Sequence, residues 1–147
     1  MKSKELKVVL VDDDFDDRLF FEEAINEIKI DTDLKIFNHG QLLMDYLYEE
    51  NSFPDLIFLD LNMPIKNGME CLKEIRGIPK FKEIIIAIYS TSSSEQDIEN
   101  TFVNGANIYI NKPNSFKELK KVIEKVLKIN WQYQTSTLNK DNFLFRI

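Results

Sequence analysis

At 147 residues, with 44% hydrophobic and 30% charged residues, the chain fits one globular domain with a sizeable core, and disorder is not its default. Acids outnumber bases 25 to 19, a formal charge of -6, which argues against a nucleic-acid partner. The single cysteine, Cys71, excludes an internal disulfide, and no apolar run reaches membrane-spanning length, so a cytoplasmic protein with no membrane partner is expected.

The first apolar run is LKVVLV, Leu6 to Val11, and five aspartates follow it between Asp12 and Asp17. Asp16 and Asp17 open a helical pattern, where a helix dipole favours negative charge. Leu19, Phe20, Ala24, Ile25 and Ile28 recur along it as a core-facing set. LKIF, Leu34 to Phe37, alternates more and suits an edge strand. A second helix runs from about Gln41 to Tyr48, with Leu43, Tyr46 and Leu47 on one face. DLIFL, Asp55 to Leu59, is the third strand. The third helix runs from about Asn67 to Arg76 and stops at Gly77. IIIAIY, Ile84 to Tyr89, is the fourth strand, followed by a helix whose Ser93 and Gln96 have capping-box spacing and whose Ile98, Phe102 and Val103 turn inward. NIYI, Asn107 to Ile110, is the fifth strand. Ser115 and Glu118 then open a helix carrying Leu119, Val122, Ile123, Val126 and Leu127.

Four of the five strands read as nearly unbroken apolar runs, the pattern of strands buried on both faces of a parallel sheet. Alternation of strand and helix predicts an α/β doubly wound parallel sheet with five strands and five helices. The domain is expected over residues 1–129, and 130–147 form an extension with no separate domain. Phe143, Phe145 and Ile147 alternate in its terminal NFLFRI. Two outcomes stay open there: a segment that folds back from about Trp131 and Tyr133 onto this or a second copy, or a tail ordered only by a partner. Cys71 reads as a small core residue and His39 as a loop residue.

Ligands of an open parallel sheet sit beyond the carboxyl ends of its strands. Asp12 and Asp13 follow the first strand, Asp60 the third, Ser90 and Thr91 the fourth, Asn111 and Lys112 the fifth. Clustered carboxylates without His or Cys suit a hard cation such as Mg²⁺. A carboxylate can also form an aspartyl-phosphate, with a cation, a lysine and a hydroxyl to balance the transferred charge.

VDDD, DLNMPIKNG, YSTSS and INKP, in this order and at these strand ends, resemble the receiver domain of two-component response regulators, and the single-domain chemotaxis type in particular. The likeness runs from about Leu6 to Ile129. It implies a flavodoxin-like sheet of order 2-1-3-4-5. Asp60 would then accept the phosphoryl group. Asp13 would ligate Mg²⁺ or Mn²⁺ directly, Asp12 through water and Asn62 through its backbone carbonyl. Ser90 would take the hydroxyl switch position, with Thr91 its small neighbour. Tyr109 would be the aromatic switch partner, Lys112 would pair with the phosphoryl oxygens, and the Lys112–Pro113 bond would be cis. Asp14, Asp16 and Asp17 keep the plainer role of loop and helix start.

The resemblance also implies partners: a sensor histidine kinase or histidine phosphotransfer protein upstream, and a protein target downstream. A homodimer stays open. No output domain follows Ile129, so output is expected through protein contacts. The protein would assist its own Mg²⁺-dependent phosphorylation and dephosphorylation without turning over an external substrate. Two alternatives compete. An aspartate-nucleophile phosphatase wants a second Asp where Asn62 stands. A degenerate receiver acting only as a binding module is at odds with the intact set Asp13, Asp60, Ser90 and Lys112.

Overall fold

The computed structural model describes residues 5–49, 53–129 and 143–145. Strand and helix alternate along the chain: β1 (Leu6–Val11), α1 (Phe15–Asn26), β2 (Thr32–Phe37), α2 (Gly40–Glu49), β3 (Leu56–Leu59), α3 (Gly68–Arg76), β4 (Ile85–Ser90), α4 (Glu95–Val103), β5 (Ile108–Asn111), α5 (Phe116–Lys128) and β6 (Leu144–Phe145). The strands form one parallel sheet in the order β2-β1-β3-β4-β5-β6. The expected five-stranded order 2-1-3-4-5 is thus present, and the chain end adds a sixth strand beside β5.

Successive strand residues point to opposite faces, and this sorts the core into two layers. Val9, Val11, Ile57, Leu59, Ile86 and Ile88 pack with α2 and α3. Val8, Leu10, Phe58, Ala87, Ile108 and Ile110 pack with α1 and α5. Both layers need apolar partners, which is why the strands read as continuous runs. The partly buried β2 lies at the sheet edge, as its alternation suggested.

Two helices bury different residues from those expected. In α1 the buried stripe is Phe21, Ala24 and Ile25, continued by Ile28 just past the helix end, while Leu19 and Phe20 are exposed, as is Phe15 at 69%. Spacing of three, four and seven residues from Phe21 defines the true inner face, and Leu19 and Phe20 fall beside it. In α4 the cap is Ser94, which accepts from the Asp97 N–H, and not Ser93. That helix buries Thr101 and leaves Val103 exposed. Asn67 and Glu70 form a reciprocal capping box on α3. Ser115 caps α5 as read.

The chain end folds back onto the sheet. Leu144 and Phe145 pair in parallel with Tyr109 and Ile110. Phe143 is fully buried, its ring 5.1 Å from that of Phe102 and 6.3 Å from that of Tyr109. Trp131, Tyr133 and Ile147 lie outside the described residues.

Candidate functional site at the strand ends

β1 and β3 are neighbours, so the residues after them meet. The Asp60 N–H donates to the Val11 carbonyl at 3.0 Å, and the Asp12 N–H to the Phe37 carbonyl at 3.1 Å. These ladder bonds bring Asp12 and Asp60 to the same end of the sheet, where both side chains are buried. One oxygen each from Asp12, Asp13 and Asp60 can lie within 4.8 Å of the others. Asp13 is exposed and forms the outer lip.

The loop after β3 is shaped to let this happen. A Cβ on Gly68 would stand 2.1 Å from the Asp60 carbonyl oxygen, so only glycine allows α3 to start this close. The Gly68 N–H donates to the Leu61 carbonyl at 3.0 Å, and Ile65 takes a left-handed φ of 67° to close the turn. Within the loop the Asn62 N–H meets Oδ1 of Asp60 at 3.4 Å, which places residue 62 at the carboxylate.

β5 delivers the counter-charge. Nζ of Lys112 lies 2.8 Å from Oδ2 of Asp12, 2.8 Å from Oδ2 of Asp17 and 3.6 Å from Oδ2 of Asp60. It also stands 5.2 Å from the ring centre of Tyr89. The Lys112–Pro113 bond is trans, since the described residues contain no cis peptide bond. The cis expectation is therefore corrected: the trans isomer, intrinsically preferred even before proline, already brings the ammonium to all three carboxylates.

Electrostatics follow from this enclosure. Burial is the main force that pushes the Asp60 carboxyl up to about 7, with the Asp12 charge adding to it; Lys112 and the Asn62 N–H oppose the rise. Burial likewise raises Asp12, against the pull of Lys112 and the Asp14 N–H. Burial alone would lower Lys112, but its contacts with Asp12 and Asp17 and the Asp60 charge outweigh that, so the ammonium is held firmly protonated.

Ser90 ends β4, is fully buried and accepts from the Ser92 N–H at 3.1 Å. Thr91 is exposed. Tyr109 is fully buried and its hydroxyl donates to the Ser92 carbonyl at 2.8 Å, so it is tied to the loop that follows Ser90. Beside Lys112 an open cavity of about 350 Å³ is lined by Asp17, Phe20, Tyr89, Thr91, Pro113 and Phe116.

The structure thus brings together Asp12, Asp13, Asp60 and Lys112, with Ser90 and Tyr109 at the ends of the next two strands. Sequence reading missed Asp17 as a partner of Lys112. Its place in the acidic first turn of α1, just after the first strand end, was only a faint signal. Cys71 is buried, as read, and burial pushes its thiol up to about 12. His39 sits at the start of α2, its Nδ1 accepting from the Leu42 N–H at 3.4 Å.

Three carboxylates and a lysine thus converge at the carboxyl ends of a doubly wound parallel sheet, and the carboxylates could hold a metal ion. The chain belongs to the response regulator receiver domain family, whose model matches residues 8–124. It is 33% identical over 124 residues to the response regulator Rcp1 of Synechocystis sp., spanning 81% of this chain and 84% of that one. Its fold matches the crystal structure of the phosphorylated cyanobacterial phytochrome response regulator RcpA, with TM-score 0.78, 31% identity, and 92% and 98% of the two chains covered. It also matches the Mn²⁺-bound form of Rcp1, with TM-score 0.75, 29% identity, and 91% and 97% covered. Receiver domains of this kind are phosphoacceptor switches that interact with histidine kinases and downstream targets. Among the described residues no helix is long and apolar enough to cross a membrane.

Proposed function

We propose that Asp60 is the phosphoacceptor of a response regulator that takes its phosphoryl group from a histidine kinase or a histidine phosphotransfer protein. One observation carries the reading: Asp12, Asp13 and Asp60 converge within 4.8 Å beside a protonated lysine. A carboxylate oxygen of Asp60 forms the new P–O bond as the P–N bond to the donor imidazole breaks, and the electron pair of that bond returns to the imidazole. Lys112 meets the oxygens of the incoming group. Ser90 supplies a hydroxyl donor, and its displacement is relayed to Tyr109 through the loop that both share.

The donor set fits a divalent cation. All its groups are oxygens, and Asp12 and Asp60 are buried where they converge with Asp13. Asp13 and Asp60 would hold Mg²⁺ or Mn²⁺ with the Asn62 carbonyl, and Asp12 would do so through water. When bound, the cation neutralises charge on the transferring oxygens. Phosphorylation and hydrolysis therefore depend on the cation, and no external substrate is turned over. Residues 1–129 are the receiver and 130–147 its extension, acting in the cytoplasm on a protein target.

Acetyl phosphate with Mg²⁺, read by intact mass, tests the assignment. Wild type should gain one phosphoryl mass, and Asp60→Asn should gain none. Equal labelling of the variant would move the acceptor elsewhere.

A further inference from the structure

We propose that Asp17 is a positioning residue that holds the Lys112 ammonium away from Asp60 and so sets how readily the site accepts a phosphoryl group. This rests on the reading of Asp60 as the acceptor.

Distances carry the inference. Lys112 Nζ is 2.8 Å from Oδ2 of Asp17 and 3.6 Å from Oδ2 of Asp60. The ammonium is thus clasped by Asp12 and Asp17, and Asp60 is its more distant partner. An ammonium has three donors, and two are aimed at carboxylates that an incoming anion must compete with. Asp12 is buried and fixed at the sheet end. Asp17 is the outer jaw, its side chain 34% exposed.

The backbone frames Asp17 for this role. Asp14 already caps α1, and its Oδ1 accepts from the Asp17 N–H at 2.8 Å. The Asp17 carboxylate is therefore not used as the cap and is free to reach across 95 positions of sequence to Lys112. It also lines the cavity beside Lys112, so its charge faces any anion approaching from that side. Both effects have one sign: Asp17 opposes phosphoryl loading until the ammonium changes partner.

Asp16 supplies the control. It is an exposed acid in the same first turn of α1, one residue away, so it adds to the general field, while the ion pairs of Lys112 among the described residues are with Asp12, Asp17 and Asp60.

The test uses the whole chain with beryllofluoride as phosphoryl analogue and Mg²⁺. Asp17→Asn should bind it about fivefold more tightly, the scale of losing one partly exposed ion pair, and Asp16→Asn by less than about twofold. A second readout needs neither metal nor phosphoryl group. In EDTA, acylation of Lys112 by an amine-reactive ester, mapped by peptide mass, should be several-fold faster in Asp17→Asn, while exposed Lys128 is unchanged. Equal gains from Asp16→Asn and Asp17→Asn, or unchanged Lys112 labelling, would overturn the proposal. Loss of phosphorylation at Asp60 in wild type would sink the acceptor assignment instead, with the labelling result still standing on its own.

Discussion

Replacing Asp60 by asparagine should stabilise the metal-free domain, and more so as pH rises. Enclosure lifts the Asp60 carboxyl to about 7, against about 3.9 for an unfolded aspartate. Between those values the native state keeps a proton that the unfolded chain has released. The contribution is therefore fully present below about pH 4 and is lost as pH climbs through 7. From pH 5 to pH 7 the loss is about 1.4 kcal/mol per unit, on the order of 3 kcal/mol. Asp60→Asn cannot ionise and keeps nearly the same shape, and Asp12 and Lys112 remain in both proteins. Urea unfolding in EDTA at pH 5 and pH 8 reads the difference. The gap between the two midpoints should shift toward the variant by about 1–3 M. Excess Mg²⁺ should reverse the wild-type trend, because a cation bound by ionised carboxylates stabilises more as pH rises. A gap that is the same at both pH values would refute the account of Asp60 as a carboxylate kept near neutrality by burial.

Asp13→Ala should weaken Mg²⁺ binding by about tenfold or more in calorimetry, since it removes one of three converging carboxylates. Lys112→Ala should retain Mg²⁺ binding but lose phosphorylation by acetyl phosphate; in EDTA it should cost about 3–5 kcal/mol in urea unfolding, because buried Asp12 loses its counter-ion. Gly68→Ala forces a Cβ to 2.1 Å from the Asp60 carbonyl, and thermal unfolding should show a loss exceeding about 3 kcal/mol, with phosphorylation impaired. Phe143→Ala should cost about 3–5 kcal/mol by the same measurement, as it empties a fully buried ring site.

Much of this architecture was legible because parallel strands buried on both faces leave no room for polar residues until the strand ends. Val8 to Val11 and Leu56 to Leu59 are apolar throughout, so Asp12 and Asp60 mark the carboxyl end of the sheet, where ligands of such folds bind. Lys112 was readable for the same reason. What escaped depends on rotation and not on sequence distance. A helix turned by one residue exchanges Phe20 for Phe21 at the core, and propensity is blind to that. The Asp17–Lys112 contact joins α1 to the end of β5, and only the packed helix reveals it. The trans Lys112–Pro113 bond shows a feature carried over by resemblance and replaced by local geometry. The two-residue β6 was foreshadowed only by its apolar alternation, since so short a strand has little pattern of its own.

That sixth strand changes what can bind beside β5. The outer hydrogen-bonding edge of Tyr109 and Ile110 is already paired with Leu144 and Phe145. A partner that would add its own strand there must first displace the chain end and expose the Phe143 ring. Its measured affinity is then its intrinsic affinity multiplied by the fraction of molecules with the edge open. If opening costs about 3 kcal/mol, that fraction is below about one per cent and the partner appears more than a hundredfold weaker. Weakening the Phe143 anchor would therefore raise affinity for such a partner without altering any residue that touches it.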